Sequence, residues 1–165
     1  MKTYKILLLL LLILIIGSCD SNNNKSYDNV DQMINDSQIG ISKVMTNDFK
    51  TVLDHKEGYI IIDCRETEEY SEGHIPGAIN IPRGILEFSG KISNRREAIY
   101  IYSQTTDRAS LAYPTLKSLK YKEVYLIDGG WEEWLKMYPE IIELGLGTSE
   151  GKTPPKKEES SGCGG

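Results

Sequence analysis

The chain has 165 residues and a formal net charge of −5; charged residues make up 26% and hydrophobic ones 39%. That length suits one domain of ordinary size with tails, and the composition fits a folded unit rather than a disordered one. No basic patch dominates the folded part, so nucleic acid is not expected as a partner.

In chain order, Lys2 and Lys5 precede an apolar run over residues 6–16, followed by Ile16-Gly17-Ser18-Cys19. Eleven apolar residues are short for a bilayer span and suit the hydrophobic region of a secretory signal. The ending Ile16-Gly17-Ser18-Cys19 resembles the lipobox of bacterial lipoproteins. The resemblance implies removal of residues 1–18, lipid on Cys19, and an extracytoplasmic domain held at the cell membrane or envelope. Removing two of the 19 basic residues leaves 17 against 24 acidic ones, a net charge of −7. So acidic a protein is not expected to lie flat on anionic lipid. Residues 19–38, rich in Asn, Asp and Ser, are predicted to form a disordered tether. Residues 147–165, rich in Gly, Ser, Pro and charge, are predicted to form a disordered tail. The folded unit is then residues 39–146.

Within that unit, strand and helix patterns alternate. Thr46 or Asn47 is placed to cap a helix through Phe49, Val52 and Leu53, ending near Gly58. Tyr59-Ile60-Ile61-Ile62 is a continuous apolar run, as in a strand buried on both faces. A helical turn over 67–70 and a short strand over 78–81 follow. A second buried strand covers 98–102, a helix 108–119, a strand 123–127, and Gly130-Trp131 opens the last helix. This order predicts an α/β fold with a parallel sheet covered on both faces, its binding site at the carboxyl ends of the strands. Tyr102 ends such a strand, and the loop after it, Ser103-Gln104-Thr105-Thr106-Asp107-Arg108, is the candidate site.

Four elements around that loop occur in order: Asp63-x-Arg65, Glu69-Tyr70, Gly73-His74-Ile75-Pro76-Gly77-Ala78, and Asp128-Gly129-Gly130-Trp131. Together they closely resemble rhodanese-like domains. The resemblance implies a three-layer α/β fold with a central five-stranded parallel sheet. In active members the loop after the fourth strand runs Cys-x-x-Gly-x-Arg, its cysteine carrying transferred sulfur. Laid on this chain, the cysteine falls on Ser103, the glycine on Thr106 and the arginine on Arg108. A related phosphatase loop would be one residue longer. The residues themselves assign mostly structural work to the rest. Asp63 and Arg65 can pair with Glu69 in reach, His74 reads as a hydrogen-bonded structural histidine, and Trp131 and Trp134 read as core.

Serine is a poor substitute for a thiol near pKa 8.5, and no base stands next to Ser103 in sequence. A β-branched Thr106 would be strained if its position needed positive φ. Asp107 is placed to cap the helix at Arg108 and to repel anions, and Pro114 falls inside that helix. Conventional sulfur transfer, catalysed from this loop, is therefore not expected. The expected role is binding: a small oxyanion, a peptide or a partner protein held by Ser103, Gln104, Thr105, Thr106, Asp107 and Arg108. The enzyme alternative is sulfur transfer or thiol redox chemistry through Cys163, whose tail has a coil reach of about 20–24 Å. Cys64 is expected in or near the core. No cofactor is implied, and no cysteine–histidine cluster supports a metal.

Overall fold

The computed structural model describes residues 25–92 and 94–145; Cys19 and Cys163, and so the lipidation and tail-thiol expectations, lie outside them. The elements run α1 (Val30–Ser37), β1 (Lys43–Met45), α2 (Thr46–His55), β2 (Tyr59–Asp63), α3 (Thr67–Glu72) and β3 (Ile79–Asn80). A 3-10 helix (Arg83–Phe88), β4 (Ala98–Tyr102), α4 (Asp107–Ser118), β5 (Val124–Asp128) and α5 (Gly130–Met137) follow. The five strands are all parallel in the order β1-β5-β4-β2-β3. The predicted five-stranded α/β fold is therefore the observed one.

The continuous apolar runs have a simple cause. Successive strand residues point to opposite faces, and both faces are covered. Ile62, Ile99, Ile101 and Leu126 pack under α4 through Ala109, Ala112 and Leu116. Ile61, Tyr100 and Ile127 pack on the other face against Phe49 of α2 and Trp134 of α5. This fixes each strand end, and with it the position of the loop after β4.

Three sequence expectations change. Residues 30–37, expected within the tether, form α1. Val30, Met33 and Ile34 fall at helical spacing in an otherwise polar stretch, and Asn29 accepts the Gln32 N–H at 2.8 Å as N-cap. Ser37 then meets Ser110 of α4, hydroxyl to hydroxyl at 2.8 Å. Strand β1, three residues long, was too short to leave a pattern. Thr46 does not cap α2; its hydroxyl donates to the Asp128 carbonyl at 2.9 Å and ties β1 to the end of β5.

The net acidity is also unevenly spread. Residues 83–97 and 117–123 carry seven basic and three acidic side chains, while the rest of the described chain carries seven basic and seventeen acidic ones. The two segments adjoin. Tyr121 donates its hydroxyl to the Ile92 carbonyl at 2.8 Å, and the Arg95 guanidinium lies 5.9 Å from the Tyr121 ring centre. No basic patch dominates the folded part, but a local one exists: strand order gathers cations that the sequence keeps about twenty residues apart.

Candidate functional site

The loop after β4 folds in on itself. Ser103 is fully buried, and its hydroxyl donates to the Thr105 carbonyl at 2.7 Å while accepting the Ala109 N–H at 3.0 Å. The Ser103 carbonyl accepts the Trp131 N–H at 2.8 Å, and the Gln104 carbonyl accepts the Glu132 N–H at 3.1 Å. Gly129 and Gly130 make this closure feasible. Both have positive φ, and a Cβ on Gly130 would stand 2.4 Å from the Ser103 carbonyl oxygen and 2.7 Å from that of Thr105. The Asp-Gly-Gly-Trp sequence thus brings α5 against the backbone of the loop.

Thr106 has φ −77°, so its β-branched side chain carries no backbone strain. Its hydroxyl reaches Asp128 Oδ1 at 3.3 Å. Asp107 is the first residue of α4 rather than its cap, and its carboxylate accepts the Thr105 hydroxyl at 3.1 Å. The Gln104 amide faces Glu132 at 3.3 Å. α4 runs on through Pro114.

Arg108 differs most from expectation. Its two terminal nitrogens meet Glu69 of α3 at 2.6 and 2.7 Å, a bidentate pair with each side chain about one-third exposed. Glu69 had been placed within reach of Arg65 instead. The fork holds the Glu69 carboxyl below its ordinary range, chiefly through hydrogen bonding to Arg108, and raises the Arg108 guanidinium by the same contact. Glu69 also accepts the Glu66 N–H at 3.1 Å, closing a capping box at the start of α3. Arg65, 2% exposed, pairs with fully buried Asp63 at 2.6 Å, donates to the Gly73 carbonyl at 2.6 Å and lies over the Trp131 ring at 4.6 Å. The Ser103, Gln104 and Thr105 carbonyls are thus each taken by a donor, while the Arg108 charge that an anion would meet is neutralised by Glu69.

His74 is the structural histidine expected. It is fully buried, bonded through Nδ1 to the Tyr70 carbonyl at 2.9 Å and stacked on the Tyr70 ring at 3.7 Å. Cys64 lies in the core, and burial pushes its thiol up to about 12, far from a reactive thiolate. Among the described residues no group of acidic, His or Cys side chains has the arrangement of a metal site.

Beside the closed loop a cavity of about 460 Å³ opens at the carboxyl ends of β1 and β5. Met45, Thr46 and Asn47 line one side, Thr106, Asp128 and Gly129 the floor, and Glu133 and Met137 the other. Sequence reasoning found Thr106 but missed the rest. Its indirect signal was the parallel-sheet rule that sites form at carboxyl strand ends.

The model of the rhodanese-like domain matches residues 46–137. The chain belongs to the rhodanese-like domain family. The Bacillus subtilis "Putative sulfur carrier protein YrkF" is 34% identical over 94 residues, covering 57% of this chain and 51% of that one. The M-phase inducer phosphatase 2 of Rattus norvegicus is 30% identical over 122 residues, covering 61% of this chain and 20% of that one. This rhodanese-like domain thus spans about half of the first relative and a fifth of the second. The solved structure of the BH2092 protein from Bacillus halodurans is 30% identical with a TM-score of 0.57, covering 66% of this chain and 80% of that one.

Proposed function

We propose that the protein is a lipid-anchored, non-catalytic rhodanese-like module that binds a peptide segment of a partner protein at the carboxyl ends of its strands. The observation that carries this is Ser103: its hydroxyl is fully buried, and both of its hydrogen bonds go to backbone, of Thr105 in the loop and Ala109 in α4. A group so enclosed meets no substrate and has no base to take its proton. A small oxyanion, the third ligand class expected from sequence, is disfavoured because Glu69 already occupies the Arg108 fork. The neighbouring cavity, with methionine walls and the carboxylates Asp128 and Glu133, suits a side chain of a bound peptide better than an anion. The anchoring part rests on Lys2, Lys5, the apolar run over 6–16 and Cys19. Among the described residues no helix is long and apolar enough to cross a membrane.

The similarity to a sulfur carrier supports a second reading, in which Cys163 carries sulfur. One experiment separates the two. The full chain is incubated with thiosulfate and cyanide, thiocyanate is measured, and added sulfur is mapped on each cysteine. The binding reading expects neither turnover nor persulfide. Turnover abolished by Cys163→Ser would replace it with the carrier reading. Turnover abolished by Ser103→Ala would overturn both. Partner capture by crosslinking, retained in Ser103→Ala and lost in Glu133→Lys with Met137→Arg, is the positive arm.

A further inference from the structure

On the 3-10 helix after β3, Phe88 is 87% exposed and Ile85 52% exposed. Three residues apart on a helix with three residues per turn, they stand on one face. Exposed aromatic surface of this kind is unusual on a charged protein, and it lies beside the cationic corner described above. Glu87 and Ser89, the neighbours of Phe88, share a surface depression with Arg95, Leu119 and Tyr121. Lys117 donates to the Lys122 carbonyl at 2.7 Å, joining the end of α4 to the start of β5. Lys91, Arg95, Arg96, Lys117, Lys120 and Lys122 are all exposed, and none is ion-paired to a carboxylate among the described residues. Lys120 has φ 68°, a left-handed conformation that disfavours a lysine, yet it keeps one more charge at this corner.

We propose that this corner is a docking surface for an anionic lipid bilayer, with Phe88 and Ile85 entering the interface and the six cations meeting lipid phosphates. Charge complementarity selects the occupant: the corner is positive on a chain whose remaining surface is strongly acidic. Each Lys or Arg close to an anionic leaflet strengthens attachment about fivefold, and an inserted aromatic adds an apolar term that salt does not screen. A polynucleotide would also satisfy the cations, but Ile85 has no π-face for a base, whereas lipid accepts both apolar side chains. Arg95, Arg96, Lys120 and Lys122 stand just before β4 and β5, at their amino ends, while the loop after β4 and the methionine-lined cavity lie at the carboxyl ends. Docking therefore turns the candidate site away from the membrane. This inference stands whether that site binds a peptide or carries sulfur.

The test is amide hydrogen exchange of the full chain mixed with vesicles, one set about one-third phosphatidylglycerol and the other phosphatidylcholine alone. The expected result is exchange over residues 84–97 and 117–123 slowed about fivefold or more on the anionic vesicles only. Protection should weaken at high salt. It should be lost in the Arg95→Gln, Arg96→Gln, Lys120→Gln, Lys122→Gln variant and reduced in Phe88→Ser. Unchanged protection of the β2 and β4 amides in the same samples shows that these variants are folded. Equal exchange on the two vesicle types overturns the proposal. So does protection that survives the four-fold variant. Protection produced without lipid, by inorganic phosphate or a short DNA duplex, would assign the corner to a soluble anion or to nucleic acid and equally overturn it.

Discussion

Replacing Glu69 by Gln keeps the side-chain shape and the capping-box acceptor but removes the charge that holds Arg108. The pair is bidentate at 2.6 and 2.7 Å, which favours it over the usual surface pair. Each partner is about one-third exposed, which screens it well below the 3–5 kcal/mol lost when a buried pair is broken. A loss of about 1 kcal/mol at neutral pH follows, equivalent to a melting-temperature drop of about 3–5 °C for a domain of this size. The pH dependence has a definite sign. The folded-state Glu69 carboxyl lies below its ordinary value of 4.5, so the stabilisation is complete above that range and fades as pH falls through the folded-state value. Wild type and variant should therefore melt apart at pH 7 and converge in acid. The freed guanidinium adds a second readout: thiosulfate or sulfate should raise the melting temperature of Glu69→Gln and leave the wild type nearly unchanged. Thermal melts of wild type, Glu69→Gln, Arg108→Gln and the double variant at two pH values complete a mutant cycle. Coupling below about 0.2 kcal/mol, or equal anion stabilisation of wild type and variant, would refute the claim that Glu69 closes this loop to anions.

Ser103→Cys should fail to produce thiocyanate from thiosulfate and cyanide, because the Thr105 carbonyl at 2.7 Å faces the position a thiolate would take; its alkylation rate against pH should show no early thiolate. Arg65→Ala should cost about 3–5 kcal/mol by leaving Asp63 buried and unpaired, measured by denaturant unfolding. A loss under 1 kcal/mol would mean that the ion pair is not the anchor described. Gly130→Ala should cost of order 1–3 kcal/mol and disturb exchange over residues 103–108, since its Cβ would meet two backbone oxygens.

Much of the fold was legible because continuous apolar runs of four or five residues, each bounded by Gly, Ser or an acidic residue, can only be buried strands once helices alternate with them. The loop was legible for the same reason, as the polar stretch after Tyr102. The electrostatic state of that loop was not. Glu69 and Arg108 are 39 residues apart, and only the pairing of β2 with β4 brings α3 over the start of α4. Cavity residues Met45 and Met137 come from elements at opposite ends of the domain, one of them a three-residue strand without a period of its own. Helix α1 hid behind composition: its Asn and Asp residues suggest a linker, while of its apolar residues only Met33 and Ile34 are half-buried and Ser37 makes its hydroxyl contact with α4. The cationic corner was invisible because net charge averages over the whole chain.

Cys64 makes the domain its own clock. Its sulfur sits among Ile62, Ile79 and Ile81, with no solvent exposure. A bulky alkylating reagent can mark it only during an opening that separates the sheet from α4, so its labelling rate counts those events. Rapid labelling or oxidation of the folded chain then has to come from a cysteine other than Cys64. Mass spectrometry after a brief pulse of reagent would separate the chain's two kinds of thiol by time alone.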